Sequence, residues 1–216
     1  MAEQIQRVAV WSGWLRLAHW SMAAATLALL ITGWLVANSP AVAEAAADYH
    51  YLAAGLLLFA LVLRFGIGMF GKGAERLEHL LPSDSDLAGI RASLVFYLSF
   101  GKAPLPNWYA HNPLWKPIYL LLFIVLALSA VTGWLMPDRP LLGSFYLPHV
   151  HAWLADVIAV FLLLHLLSVI LQDWRGQSAD VSAMINGSRY FTIDRDGLVK
   201  PEIPQVSVKL DDIGKR

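Results

Sequence analysis

Four long apolar stretches constrain this chain more than any other feature of its sequence. Each is long enough to cross a hydrocarbon core of about 30 Å, and together they cover residues 15–36, 49–70, 114–136 and 151–171. Of the 216 residues, 57% are hydrophobic and only 15% are charged, which is far more apolar than an ordinary water-soluble domain. We therefore expect an all-α integral membrane protein, a four-helix bundle with four transmembrane helices.

The positions of Lys and Arg predict how this bundle is oriented. Of the 16 Lys and Arg residues, only Arg139 lies in the connections at 38–48 and 137–150. Short connections that are rich in Lys and Arg remain in the cytoplasm. Both termini, and the connection between the second and third spans, are therefore expected on the cytoplasmic side.

The segments outside the spans are less informative. Residues 87–100 are apolar but too short to cross a membrane, so we expect a short cytoplasmic interfacial helix between spans 2 and 3. We expect a transmembrane domain over residues 1–174 and a polar cytoplasmic tail over residues 175–216, partly disordered from 200 to 216. We expect no internal repeat.

Charge and cysteine content exclude several classes of function. The formal net charge is zero and cysteine is absent. A neutral chain lacks the basic face that nucleic-acid binding requires. Without cysteine, the chain cannot hold an iron–sulfur cluster or attach a haem through thioethers. Any haem must therefore be held by histidine or methionine, and the lipid membrane is the one partner that composition implies.

Two histidines of the fourth span share one helix face. His151 and His165 are 14 residues apart, which is nearly four complete turns and about 21 Å along a helix. With the predicted orientation, His19 lies at the depth of His165 and His50 at the depth of His151. His149 is 16 residues from His165 and falls on the opposite face, so we interpret it as a loop or cap residue.

These matched depths predict two binding sites stacked across the bilayer. Two imidazoles on facing helices can bind a planar iron macrocycle from both axial sides, which indicates two bis-histidine haems. A histidine proton relay is the competing interpretation, but it requires further acidic residues inside the spans. Only Asp156 is clearly internal; it either acts near the outer haem or is satisfied by a Ser, Thr or Trp of a neighbouring span. A di-metal site would require several inward-facing Glu residues, which the spans lack.

Two arginines lie at the cytoplasmic ends of the first two spans. Arg16 precedes His19 by three residues and shares its helix face, and Arg64 lies near the inner end of span two. Either could pair with haem propionates. Either could instead extend to the lipid headgroups. His79 lies in the polar cytoplasmic connection, and we assign it no role.

Several short motifs together resemble one protein family. They are Arg16-Leu-Ala-His19-Trp20, Arg64-Phe-Gly-Ile-Gly68, His111-Asn-Pro-Leu114, and the segment at 182–191. In this order, with His50, His151 and His165 on their spans, they resemble the bacterial cytochrome b561 family. The branch of b-type cytochrome subunits of nickel–iron hydrogenases and thiosulfate reductases is the most similar. One departure is Trp115, where that branch leads us to expect Gly, and it bears on the partner more than on the haems.

The resemblance implies a specific function. It implies a dihaem cytochrome b domain in the bacterial inner membrane with two non-covalent haem b groups, whose axial ligands are His19, His50, His151 and His165. Such subunits pass electrons between the quinone pool and a redox partner, either a hydrogenase-like enzyme or a c-type cytochrome. His111 is then a structural or quinone-side residue rather than a ligand, and no residue is expected to be catalytic.

Two other functions remain open at this stage. One is a self-sufficient quinone-linked oxidoreductase, such as a superoxide-oxidising cytochrome, and the other is a haem-free histidine-relay proton transporter. Copurification with a redox partner distinguishes the first from an electron-transfer subunit. Haem content distinguishes both cytochromes from the transporter.

Overall fold

The computed structural model describes residues 4–175 and 180–193, and it is mostly helical. Four of its helices are long and apolar enough to cross a membrane, which confirms the predicted membrane bundle. They are α1 (Gly13–Asn38), α2 (Ala43–Phe70), α4 (Trp115–Leu135) and α5 (Leu147–Arg175). Three of the helices extend beyond the predicted spans: α1 by two residues at each end, α2 by six residues at its start, and α5 by four residues at each end.

The four long helices form two hairpins. Helix α1 packs along α2, and α4 packs along α5, whereas contacts between the two hairpins are sparse. A buried apolar cluster joins the hairpins near mid-height and includes Ala25, Leu57, Leu61, Val125, Leu126, Leu154 and Ile158. Above and below this cluster, space is left between the hairpins for side chains that face one another.

Most large apolar side chains on these helices point away from the bundle. Val62, Trp134 and Leu163 are more than half exposed, for example. In water this arrangement would expose a large apolar surface, but in a bilayer the same surface contacts lipid. The outward faces therefore agree with a multi-pass membrane protein.

The segments before α1 and after α5 meet at one end of the bundle. Strand β1 (Gln4–Ala9) pairs antiparallel with β4 (Ser188–Ile193), and the short helix α6 (Asp180–Asn186) precedes β4. Val10, Trp11 and Leu15 bury Ala183 of α6 in a second apolar cluster. An even number of spans requires the two flanking segments to lie on the same side, and this pairing is consistent with that requirement.

Helix α1 also satisfies carbonyl groups at the end of α6. Trp20 Nε1 donates to the Met184 carbonyl over 2.9 Å, and the Arg16 guanidinium donates to the Ile185 carbonyl. Carbonyls in the last turn of a helix have no partner within that helix. Residues 180–193 of the tail are thus fixed to α1, whereas the predicted disorder of 200–216 concerns residues outside the described ranges.

The predicted interfacial helix is present as α3 (Asp86–Leu98), which precedes the long loop to α4. Asp86 accepts from Lys116 of α4 over 2.9 Å, and both side chains are largely buried. Burial alone would raise the pKa of Asp86, but the hydrogen bonds from Lys116 and Ser83 outweigh it and lower that pKa. The ion pair fixes the start of α3 against the start of α4. Two hairpin strands of two residues, β2 (Leu141–Leu142) and β3 (Phe145–Tyr146), connect α4 to α5.

Candidate functional site: two facing histidine pairs

The four histidines of the spans form two facing pairs between the hairpins. The rings of His50 and His151 have their centroids 6.2 Å apart, and those of His19 and His165 are 6.3 Å apart. We call His50–His151 the outer pair and His19–His165 the inner pair, after the predicted orientation. Each pair joins one hairpin to the other, as the matched depths predicted.

These separations fit an iron atom between the two rings. A metal–imidazole bond is about 2 Å long and the ring centroid lies about 1 Å behind its nitrogen, so two axial imidazoles hold their centroids about 6 Å apart. Within residues 4–175 and 180–193, no group of three or more His, Asp and Glu side chains could hold a metal ion. The geometry therefore offers imidazole pairs, which suit a haem, rather than a larger ligand cluster.

Each ring of the outer pair is held by a threonine of its own hairpin. His50 Nδ1 lies 2.9 Å from Thr32 Oγ1, and His151 Nδ1 lies 3.0 Å from Thr132 Oγ1. The glycine that follows each threonine lies directly against the ring. A Cβ at Gly33 would lie 3.3 Å from the His50 ring, and a Cβ at Gly133 would lie 3.0 Å from the His151 ring.

The inner pair has a different, largely aromatic environment. Phe161 stacks on His165 with centroids 5.6 Å apart, and Trp115 and Tyr119 meet the same ring edge-on. His165 Nδ1 is buried without a hydrogen-bond partner among the described residues. The His19 ring meets Trp20 edge-on at 5.4 Å.

A cavity of about 380 Å³ adjoins the inner pair. Its lining is mostly apolar but includes several polar side chains on one side, among them Arg64, Trp108, His111, Asn112, Gln172 and Arg189. An apolar cavity with a few convergent polar groups is typical of a site for a cofactor or small molecule.

The two arginines of the first hairpin differ in where they point. Arg64 is buried, lines this cavity, and donates to the Glu75 carbonyl over 3.2 Å. A buried guanidinium requires an anion or several acceptors, so Arg64 is suited to pair with a carboxylate in the cavity. Arg16 donates instead to the carbonyls of Ser12 and Ile185; its propionate role stays a prediction that these contacts do not support.

His111 lies in the loop before α4, where it lines the cavity. Its ring meets Trp11 edge-on with centroids 4.9 Å apart. Burial, with smaller contributions from the positive charges of Arg64 and Lys116, lowers the pKa of His111 to about 3. The imidazole is therefore neutral at physiological pH and can accept a hydrogen bond from a ligand in the cavity.

The remaining titratable residues considered in the sequence lie away from the facing pairs. His149 is exposed in the first turn of α5, beside Tyr146, and His79 is exposed near Glu78. Asp156 is exposed on α5 and makes no hydrogen bond or ion pair with another described residue. The expected Ser, Thr or Trp partner of Asp156 on a neighbouring span is thus not found, because its side chain points outward from the bundle.

Sequence reasoning missed Thr32 and Thr132, although a signal for them exists. The tetrapeptide Thr-Gly-Trp-Leu occurs at 32–35 and again at 132–135, and His50 and His151 are separated by a nearly equal interval. The expectation that the chain has no internal repeat was therefore wrong. The two hairpins repeat one local arrangement, a threonine and glycine near the end of the first helix that face a histidine near the start of the second.

The chain is also similar to known membrane proteins. A family model described as prokaryotic cytochrome b561 matches residues 10–187. A relative from Cupriavidus necator is described as a probable Ni/Fe-hydrogenase B-type cytochrome subunit. It is 26% identical over an alignment 221 positions long, and the alignment covers 88% of this chain and 89% of the relative. No solved structure matches the chain. The region matched by the family model contains both histidine pairs, Arg64 and His111.

Proposed function

The chain belongs to the prokaryotic cytochrome b561 family, as its motifs predicted, and on this premise we propose that it is a dihaem electron carrier of the bacterial inner membrane. The family makes it a multi-pass b-type cytochrome that functions in electron transport. The proposal adds two haem b groups, one at each histidine pair, and electron transfer between the quinone pool and a redox partner protein. One observation carries this proposal: the four imidazoles face one another in two pairs, and the rings of each pair are separated by the distance that an iron atom between them requires.

The histidine pairs determine what chemistry the sites can perform. The two histidines of each pair would together hold a haem, and that haem would supply a one-electron iron couple. Because both iron ligands would come from the protein, the sites are suited to carry electrons rather than to activate oxygen or a substrate. His151 and His165 lie on the same helix, about 21 Å apart along its axis, which spaces the two sites across most of the hydrocarbon core.

The cavity beside the inner pair supports a quinone site there. Its apolar lining suits a quinone ring beside the space that a haem between His19 and His165 would take, and neutral His111 can accept a hydrogen bond from a quinol hydroxyl there. Arg64 is suited to hold a propionate of the inner haem at the same cavity. With Lys and Arg concentrated at this end of the bundle, the positive-inside rule assigns the inner pair to the cytoplasmic side.

The redox partner is proposed from the relative. The Cupriavidus necator protein is described as a hydrogenase cytochrome subunit and covers nearly the whole of this chain. We infer a hydrogenase-type partner for this chain as well, in which case its role is that of the electron-transfer subunit of a membrane oxidoreductase complex. A c-type cytochrome is the alternative partner, and copurification from the native membrane distinguishes the two.

Electron transfer across a bilayer tests the proposal directly. Purified protein is inserted into vesicles that contain trapped ferricyanide, and the membrane-impermeant reductant dithionite is added outside. We expect the haem-loaded wild type to reduce the trapped ferricyanide well above the rate of protein-free vesicles. His151→Ala, which removes one outer ligand, should fall to that baseline, whereas the matched control His149→Ala should keep the wild-type rate. Equal rates for His151→Ala and the wild type would contradict transfer through two sites.

A further inference from the structure

We propose that Thr32 and Thr132 are positioning residues for the outer haem, which fix the tautomer and ring orientation of its two ligands and lower its reduction potential. The inference deepens the proposed function and rests on it. It is carried by the two threonine–histidine contacts, the two glycines against the rings, and the repetition of this arrangement in both hairpins.

The direction of each hydrogen bond follows from the threonine's other partner. Thr32 Oγ1 lies 2.7 Å from the Ala28 carbonyl, and Thr132 Oγ1 lies 2.9 Å from the Leu128 carbonyl. A hydroxyl has one hydrogen, and a carbonyl can only accept. The threonine hydrogen is therefore used within its own helix, and the threonine oxygen accepts from the Nδ1–H of the histidine.

This direction determines which ring nitrogen can bind a metal. In a neutral imidazole one nitrogen carries the hydrogen and the other has the free lone pair. With the hydrogen on Nδ1, both His50 and His151 are left with Nε2 as the ligating atom. A group that accepts from the second ring nitrogen of a ligating histidine also fixes the plane of the ring.

The glycines restrict the rings from a second direction. The His151 ring lies so close to the backbone of α4 that a Cβ at Gly133 would lie 3.0 Å from Cε1, and Gly33 in α1 leaves only slightly more room for His50. Each ring is therefore held between a hydroxyl and a helix backbone. Both restraints come from the hairpin to which the histidine belongs, so they do not depend on the facing hairpin.

The inner pair does not share this device. In the repeat, the two threonines are 100 residues apart and the two histidines are 101 residues apart. The residue 100 positions after His19 is Tyr119, and the residue 101 positions before His165 is Arg64. Neither inner histidine therefore has a histidine counterpart in the other hairpin. His165 Nδ1 is buried without a hydrogen-bond partner among the described residues. The repeated threonine–glycine arrangement is thus specific to the outer pair, which makes the inner haem an internal reference for any effect on the outer one.

The expected effect on the outer haem has a definite sign. Donation from Nδ1–H to an oxygen makes the imidazole a stronger electron donor toward iron, and a stronger donor stabilises the oxidised state more than the reduced state. Each ring also has a backbone carbonyl as a hydrogen-bond partner, that of Leu29 for His50 and that of Ser129 for His151, so a valine variant weakens the acceptance of the Nδ1–H without leaving it unpaired. Loss of either hydroxyl should therefore raise the reduction potential of the outer haem.

Redox titration of isosteric variants tests the inference. Thr32→Val and Thr132→Val each keep the volume of the side chain but remove the hydroxyl, and Thr32→Ser and Thr132→Ser keep the hydroxyl. We expect each valine variant to shift the ratio of reduced to oxidised outer haem about tenfold at a fixed ambient potential, which is about 59 mV for a one-electron couple. The serine variants should have the reduction potentials of the wild type, and the potential of the inner haem should be unchanged in all four variants.

The outcomes separate this inference from the proposed function. Two haems with unchanged potentials in the double valine variant would overturn the role of the threonines and leave the dihaem cytochrome standing. A wild-type protein that binds no haem would instead overturn the proposed function. If the valine variants lose the outer haem, retention of that haem at the wild-type potential in the serine variants supports the hydrogen bonds. Loss of the outer haem in the serine variants as well would overturn the role of these hydrogen bonds.

Discussion

The outer and inner histidine pairs have almost equal ring separations but very different surroundings. Around the outer pair, two threonines and two glycines hold the rings, and the arrangement is repeated in both hairpins. Around the inner pair, aromatic rings pack on His165, and a cavity with Arg64 and His111 adjoins it. The separation of the two rings suits each pair to bind an iron macrocycle, and the side chains around the rings determine what else each site can do. Under the proposed function, the outer site is a fixed electron relay and the inner site has room to exchange electrons with a second molecule.

Substitution of a histidine in either pair should have the largest effect, because it removes one of the two haems. We expect His50→Ala or His151→Ala to abolish the outer haem, and His19→Ala or His165→Ala to abolish the inner haem, because one imidazole cannot hold the macrocycle from both sides. Haem per chain, measured on the purified variants, should fall from two to one in every case. His149→Ala is the control on the same helix and should keep both haems. Two haems in His151→Ala would refute the assignment of the outer pair.

His111 sharpens the difference in reactivity between the sites. We expect His111→Phe, which removes the hydrogen-bond acceptor, to slow the reduction of the haems by a short-chain quinol about tenfold, since one hydrogen bond contributes on the order of 1 kcal/mol, with both haems retained. Because burial lowers the pKa of His111 to about 3, the imidazole stays neutral throughout the range from pH 5.5 to 7.5. The slowing should therefore be the same at both ends of that range, measured by stopped-flow absorption. A slowing that disappears below pH 6.5 would show that His111 titrates normally and does not act as described.

Gly133 tests how closely the outer site is fitted. Gly133→Ala would bring a methyl group to 3.0 Å from the His151 ring, so we expect the ring to be displaced and the outer haem to be lost more readily on dilution. The effect should be a several-fold lower occupancy, with the inner haem unchanged. Gly55→Ala on α2 is the matched control, since a Cβ there meets nothing within 4 Å. Equal haem content in the two variants would mean that the ring does not need this close contact.

The helices and the histidine pairs could be predicted from the sequence for simple physical reasons. Hydropathy reports the length of chain that can lie in lipid, and 14 residues between His151 and His165 place both on one face of any straight helix. The ends of the helices were less predictable, because the start of α2 at 43–48 contains Glu44 and Asp48, which hydropathy excludes although the backbone is helical.

Contacts between distant segments could not be predicted in the same way. The pairing of β1 with β4 joins residues between 179 and 189 positions apart, and neither strand has a distinctive pattern of its own. Thr32 and Thr132 were missed because a single threonine in a transmembrane helix usually hydrogen-bonds to its own backbone. Both do so here, and only the fold shows that the same oxygen also faces a histidine.

The most direct test of the account is the haem content of the purified chain. The protein is expressed with sufficient haem, purified in detergent, and its visible spectrum is recorded oxidised and then reduced with dithionite, with haem quantified per polypeptide. The account predicts sharp b-type bands on reduction and two haems per chain. A single haem would contradict the second site, and a featureless spectrum after haem-replete expression would contradict the assignment of both histidine pairs as haem ligands.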